Sequence, residues 1–277
     1  MILRTPSGPL YFEVYGEGPP LVFISGWAMS SECWRPAVAI LKRRYRCLIY
    51  DSRGVGRSQP VSPDSRFEIE DHAEDLHAIL QAADIFDATV VGHETGALVA
   101  AALADRRPQD ARALVLVSPR AAISENEIKR LAVFTPAAIA LRDLAAFPLL
   151  RNLVAYRFRR APEPFRDVLY DEFANINPRA AYETAVSAAS PEAFERTEES
   201  LEQTGSSALI ICGEKDRKGV AQSRLLFSRA RAGKLALVKD CGFLPMLEYP
   251  RQFAKLLDSF AGGVYRKTSQ ALMRREI

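Results

Sequence analysis

Short runs of apolar and β-branched residues recur along the chain, and each is followed by a turn and a segment with helical spacing of apolar positions. Runs that stay apolar at consecutive positions are typical of strands buried on both faces of a parallel sheet. Because such strands alternate with helices, we predict an α/β fold: a mostly parallel, twisted β-sheet flanked by helices. The predicted parallel strands lie at 21–25, 47–50, 88–91, 113–117, 208–212 and 234–238.

The strand pattern stops between residues 119 and 207. This stretch is rich in Ala, Leu, Arg and Glu and is interrupted by prolines, which predicts several short helices. Inserted before the last strands, they would lie above the carboxyl ends of the sheet, where open α/β folds bind ligands. We therefore predict a core at 1–118 and 208–262, a helical lid at 119–207, and a flexible C-terminal tail at 263–277 that follows a Gly-Gly pair.

Composition narrows the possible partners. The 37 basic and 34 acidic residues nearly balance, so nucleic acid is not expected as a partner. The four cysteines are far apart and lack metal-binding spacing, and no metal or cofactor is expected. The first residues lack a signal-peptide pattern and no apolar run reaches bilayer length, so we expect a cytoplasmic protein that acts on a small molecule without a membrane. The oligomeric state stays open.

A conspicuous turn follows the predicted strand at 88–91 and precedes a helix of small residues at 97–103. It reads Gly92-His93-Glu94-Thr95-Gly96. Glycines on both sides fit a turn so sharp that neighbouring positions must be nearly free of side chains. We expect strained backbone at Glu94 and a side chain that points into the pocket.

This turn resembles the nucleophile elbow, G-x-S-x-G, of the α/β-hydrolase superfamily, with Glu94 in place of serine. Two loops add to the resemblance. The stretch 51–58, Asp-Ser-Arg-Gly-Val-Gly-Arg-Ser, is close to the family's D-x-R-G-x-G-x-S loop, and Gly26-Trp27 is similar to its oxyanion loop. Together the motifs cover about residues 10 to 260 and imply the family's fold.

The resemblance also assigns roles to residues. The backbone N–H groups of Trp27 and Thr95 would be the two oxyanion-hole donors. Asp216, at the end of the strand at 208–212, would be the triad acid. Ser25 stands where the family often has a histidine, and we place it in the substrate pocket.

The histidine of the triad is missing. The segment 240–250, Asp-Cys-Gly-Phe-Leu-Pro-Met-Leu-Glu-Tyr-Pro, is similar to the family's final motif, but Phe243 occupies the histidine position and would line the pocket. The chain has only His72, His77 and His93. We expect none to substitute, because the first two lie on a helix beside the sheet and His93 should point away from the side chain of Glu94.

A Ser-His-Asp hydrolase is therefore excluded, since both hydroxyl and base are absent. We predict an atypical enzyme for a small, partly apolar carbonyl, ester or epoxide-like metabolite. Glu94 would be a general acid or base whose pKa is raised toward neutrality by an apolar wall that includes Phe243 and the lid. Otherwise it would be a carboxylate nucleophile whose ester persists unless an unrecognised base releases it. The alternative is an inactive homologue that binds a ligand or partner protein. In that case Glu94 could pair with an arginine of the lid, and Asp216 could cap a turn.

Overall fold

The computed structural model describes residues 1–120, 159–203 and 207–273, without the side chains of 174, 203 and 267–273. Within this part of the chain, eight strands form one sheet in the order β1-β2-β4-β3-β5-β6-β7-β8. The pairs β1–β2 and β2–β4 are antiparallel, and all other pairs are parallel. The predicted α/β class is confirmed. The strands are β1 Ile2–Thr5, β2 Gly8–Tyr15, β3 Pro20–Ile24, β4 Arg46–Tyr50, β5 Ala88–His93, β6 Ala111–Val117, β7 Ser207–Gly213 and β8 Gly233–Val238.

Helices cover both faces of the sheet because neighbouring strand residues point to opposite sides. The described helices are α1 Arg35–Leu41, α2 Ile69–Ala82, α3 Thr95–Arg106, α4 Phe165–Asn175, α5 Pro178–Ala188, α6 Pro191–Gln203, α7 Arg217–Arg229, α8 Pro245–Glu248 and α9 Pro250–Met273. Val22 and Ile24 of β3 pack with α2 and α3, whereas Leu21 and Phe23 pack with α1 and α9.

The described part of the predicted lid consists of helices. α4, α5 and α6 follow one another between β6 and β7. Pro178 and Pro191 stand at the first residues of α5 and α6, where proline's missing N–H costs no hydrogen bond. Residues 121–158 and 204–206 of the predicted lid lie outside the described residues.

The C-terminal segment differs from its prediction. α9 continues through Gly262 and Gly263 to Met273, so the flexible tail predicted at 263–277 is wrong for the described residues. The helix is held by Tyr265, whose hydroxyl donates to the carbonyl oxygen of Pro20 at 2.7 Å and accepts from the Thr89 N–H at 3.1 Å. Two adjacent glycines predict a break only when nothing packs on the helix beyond them. Residues 274–277 are outside the described part.

Candidate active site

The turn between β5 and α3 has the geometry that its glycines predict. Glu94 has φ 50° and ψ −109°, a conformation that a residue with a side chain rarely adopts. Its N–H donates to the carbonyl oxygen of Val117 at 2.9 Å. A Cβ on Gly92 would lie 2.1 Å from the carbonyl oxygen of Gly96, and one on Gly96 would lie 2.5 Å from that of Ile24. The turn therefore cannot form with larger residues at either glycine.

The carboxylate of Glu94 is buried and surrounded by donors, with 3% of the residue exposed. Oε2 accepts from the Trp27 N–H at 2.8 Å and from the Thr95 hydroxyl at 3.1 Å. Oε1 forms an ion pair with Nε of Arg120 at 2.9 Å. These contacts stabilise the ionised carboxylate. They act against the rise in pKa that the predicted apolar wall would cause.

One predicted oxyanion-hole donor is already in use. The Trp27 N–H does face the side chain of residue 94, as the resemblance implies, but its acceptor is the Glu94 carboxylate. The indole of Trp27 turns the other way, and its Nε1–H donates to the carbonyl oxygen of Ala181 in α5 at 2.8 Å. Trp27 thus connects the candidate site to α5.

Ser25 supports the oxyanion loop from inside. Its hydroxyl donates to the carbonyl oxygen of Ser30 at 2.9 Å and accepts from the Trp34 indole N–H at 3.1 Å. The residue is 4% exposed. The hydroxyl of Ser25 is therefore occupied by contacts within the loop. The prediction that Ser25 lines the substrate pocket applies to its position and not to its hydroxyl group.

The ring of Phe243 packs against the imidazole of His93. The rings of His93 and Phe243 lie edge to face with centroids 4.6 Å apart. His93 is fully buried, and its Nε2 lies 3.0 Å from the carbonyl oxygen of Phe243. A Cβ built on Gly26 would lie 2.6 Å from Nδ1 of His93 and 3.0 Å from Oε2 of Glu94. The prediction that His93 points away from Glu94 is therefore wrong.

Asp216 caps a helix. Its side chain accepts from the Gly219 N–H at 3.0 Å at the start of α7. This contact matches the turn-capping role considered as the alternative to a triad acid. The loop that carries it packs on the loop before Phe243, since the Lys215 N–H donates to the carbonyl oxygen of Cys241 at 2.8 Å.

A carboxyl group of α4 contacts the loop that follows Trp27. Glu172 of α4 accepts from both the N–H and the hydroxyl of Ser30. Burial above all, helped by the negative charges of Asp51 and Glu32 and opposed by the Ser30 hydrogen bonds, raises the pKa of Glu172 to about 7. The contact between α4 and this loop therefore changes its charge near neutral pH.

A pH-dependent stability follows from Glu172. Because its pKa is raised on folding, its stabilising contribution is complete at pH 4 and is lost as the pH rises through 7. Between pH 5 and 8, we expect the free energy of unfolding to change less in Glu172→Gln than in wild type. The two changes should differ by on the order of 2 kcal/mol. Urea unfolding at several pH values measures this. Glu183→Gln on the exposed side of α5 is the control, and equal pH profiles for wild type and Glu172→Gln would contradict the assignment.

A small cavity lies beside the oxyanion loop, between Trp27, Thr95 and α5. Its volume of about 30 Å³ suits one or two water molecules. His72 borders it and lies with Nε2 3.0 Å from the Thr184 hydroxyl. Burial, with a smaller effect of Arg53, lowers the pKa of His72 to about 3, so this histidine stays neutral.

Two residues of this region were not predicted correctly from the sequence, and a third was predicted only by its type. An arginine of the predicted lid was considered as a partner of Glu94, and Arg120, three residues after β6, is that partner. The rule that parallel strands end at one edge could have identified it. His93 was assigned to the wrong side of the turn. Glu172 has no sequence signal beyond its place in the predicted lid.

Some functions find no support in the part of the chain that the structure describes. No cluster of three or more His, Cys, Asp or Glu side chains is placed there to hold a metal ion. No described helix combines the length and apolar character that crossing a membrane requires. All four cysteines, Cys33, Cys47, Cys212 and Cys241, are buried and unpaired by disulfides.

Sequence comparison finds related hydrolases. A model of the alpha/beta hydrolase fold matches residues 19–250. Among curated proteins, a putative carbamate hydrolase RutD of Azorhizobium caulinodans is 34% identical over 110 residues, 39% of this chain and 40% of the relative. A putative carbamate hydrolase RutD of Escherichia coli is 38% identical over 104 residues, 38% of this chain and 39% of the relative. The alignments thus span about two fifths of these relatives.

Solved structures show the same fold at low identity. A thermophilic esterase from Thermogutta terrifontis has a TM-score of 0.82 and 18% identity, with 95% of this chain and 99% of that chain covered. An enol-lactonase from Burkholderia xenovorans LB400 has a TM-score of 0.78 and 22% identity, with 94% and 99% covered. The prediction of an α/β-hydrolase-family enzyme agrees with the hydrolase names of these proteins. With the family model matching most of its length, the chain belongs to the alpha/beta hydrolase fold family.

Proposed function

We propose that the protein is an enzyme that acts on a small carbonyl compound, such as an ester or carbamate, with ionised Glu94 as a general base. The observation that carries the proposal is the position of the Glu94 carboxylate. Glu94 has a strained backbone with φ 50°, and its carboxylate accepts from the Trp27 N–H. The names of the curated relatives support a carbamate or a similar acyl compound as substrate.

The carboxylate is suited to accept a proton. Trp27 and Thr95 hold Oε2, and Oε1 faces Arg120, whose side chain is 38% exposed. A substrate oxygen that binds the Arg120 guanidinium would lie beside Oε1. Glu94 would then remove a proton from an attacking water or from the substrate, while the positive charge of Arg120 stabilises the negative charge that develops on the substrate oxygen.

Glu94→Gln tests the proposal because it keeps the shape of the side chain and removes its basicity. General acid–base catalysis contributes about 10²- to 10⁴-fold, so we expect kcat/KM on the best substrate of a carbamate and ester panel to fall at least 100-fold. The melting temperature controls for folding. Full activity in Glu94→Gln would contradict the proposal.

A single turnover in ¹⁸O-labelled water separates base from nucleophile. A general base leaves Glu94 unlabelled, whereas hydrolysis of a glutamyl ester puts ¹⁸O into its carboxylate. Mass spectrometry of the peptide containing Glu94 reads the result. Label in this peptide would replace the base mechanism with the nucleophilic one.

A second candidate is a binding protein without catalysis. The same contacts favour this candidate. Glu94 accepts from the Trp27 N–H, one of the two predicted oxyanion-hole donors, and it pairs with Arg120, the first arginine of the predicted lid. Comparing wild type with Glu94→Ala in metabolite extracts distinguishes the two. Loss of a specific product in the variant supports catalysis, and identical product profiles with retained ligand binding support the second candidate.

A further inference from the structure

We propose that His93 replaces, from within the elbow, the imidazole that the chain lacks at position 243, and that it receives the proton that Glu94 removes. This inference deepens the proposed function and rests on the role of Glu94 as a base. Its basis is the position of the two side chains around Gly26.

The hydrogen bond to Phe243 fixes which nitrogen of His93 carries the proton. Nε2 lies 3.0 Å from the backbone carbonyl oxygen of Phe243, and a carbonyl oxygen only accepts. In the neutral ring Nε2 therefore carries the hydrogen, and Nδ1 carries the lone pair. The edge-to-face contact with the Phe243 ring holds the same orientation.

The lone pair of Nδ1 borders the space that Glu94 also borders. Both Nδ1 and Oε2 lie within 3.0 Å of the point where a Cβ of residue 26 would stand. A proton can cross such a gap directly or through one water. Glycine at position 26 is what leaves the gap open, because any larger residue would collide with both atoms.

The proton transfer balances without another reactant. The O–H or C–H bond of the water or substrate breaks, its electron pair stays on the attacking atom, and its proton goes to the Glu94 carboxylate. The carboxyl proton then passes to Nδ1, whose lone pair forms the new N–H bond and leaves an imidazolium beside a regenerated carboxylate. The same proton returns to the leaving group, which restores neutral His93.

The surroundings of His93 favour this exchange. Oε2 of Glu94 borders the same point at Gly26 as Nδ1 of His93, and Arg120 lies on the other oxygen of Glu94. Glu248 accepts from the N–H groups of Gly242 and Leu244 on either side of Phe243 and pairs with Arg160, so it holds the carbonyl that orients His93. His93 acts through Glu94 and is thus a positioning and proton-accepting residue.

Nitrogen-15 NMR of histidine-labelled protein tests the inference without a substrate. The chain has only three histidines, and His72→Gln and His77→Gln variants assign their signals. We expect His93 to show the Nε2–H form when neutral, and the midpoint of its titration to fall by about one pH unit or more in Glu94→Gln, which removes the charge that stabilises the imidazolium. His77, whose Nδ1 lies 2.6 Å from Asp110, is the internal control and should not change.

The NMR outcome is independent of activity. An Nδ1–H form, or a His93 titration unchanged in Glu94→Gln, would overturn the inference even if Glu94 is the base. Conversely, full activity of Glu94→Gln with a shifted His93 titration would reject Glu94 as the base, and with it the proton transfer to His93, and would leave only the electrostatic interaction of the two side chains.

His93→Gln provides a kinetic test. Its amide N–H can replace Nε2–H on the Phe243 carbonyl, but nothing replaces Nδ1. We expect a melting temperature near that of wild type, little change in KM, and a kcat reduced at least 10-fold, with the pH profile of kcat altered. An unchanged kcat and pH profile in a folded variant would contradict the role, and if this variant does not fold, the NMR comparison still decides.

Discussion

The double variant Glu94→Ser/Phe243→His should gain reaction with a fluorophosphonate probe, whereas wild type should show none. The elbow already supplies the strained turn, and Glu94 would no longer occupy the Trp27 N–H, which becomes available for an oxyanion. Histidine at 243 adds the missing base. Because triad members act as a unit, we expect labelling about 10³-fold faster than in either single variant.

The two single variants are the matched controls. Glu94→Ser alone has a hydroxyl without the family's base, and Phe243→His alone has a base without a hydroxyl. Adding Asp216→Asn to the double variant should lower labelling again, if Asp216 can leave its cap at Gly219 and reach the new histidine. A double variant that labels no faster than Glu94→Ser would show that position 243 does not face residue 94 in the way that the family motif implies.

Arg53→Met should destabilise the fold by about 3–5 kcal/mol. Nε and Nη2 of Arg53 bind the two carboxylate oxygens of Asp75, both at 2.5 Å, and the two side chains are each 7% exposed. Burial raises the pKa of Asp75 even with Arg53 present. Loss of the guanidinium would leave a buried carboxyl without its partner, which is the costly way to break such a pair.

Urea unfolding measures this loss. Arg44→Met is the control, because the Arg44–Asp258 pair is exposed and its removal should cost less than about 1 kcal/mol. Replacing both partners, as in Arg53→Met/Asp75→Leu, should recover most of the stability, since no buried charge then remains. An Arg53→Met variant as stable as Arg44→Met would contradict the large predicted loss of unfolding free energy on breaking the buried pair.

The parallel strands of the sheet could be predicted because strands buried on both faces have continuous apolar runs in the sequence. Every predicted parallel strand is present, with ends shifted by one or two residues, as for Ala88–His93. The short edge strand Ile2–Thr5 was not recognised because it is half exposed and too short to show a clear pattern. The C-terminal helix was cut short at its glycines, since the packing of Tyr265 on the sheet has no local signal.

For the candidate site, the sequence predicted positions better than contacts. It located the strained turn at Glu94 and the N–H of Trp27 that faces it, because both depend on local motifs. It did not predict that these two groups bind each other. It considered a lid arginine as a partner of Glu94 but did not identify it as Arg120. Such contacts depend on side-chain directions and on segments distant along the chain.

Two hydrogen bonds of Trp27 connect the candidate site to α5. Its backbone N–H donates to Glu94, and its indole N–H donates to the carbonyl oxygen of Ala181. If a ligand took the N–H from Glu94 and shifted Trp27, linkage would make the two effects equal: the free energy by which the ligand changes the docking of α5 is the free energy by which docked α5 changes ligand binding.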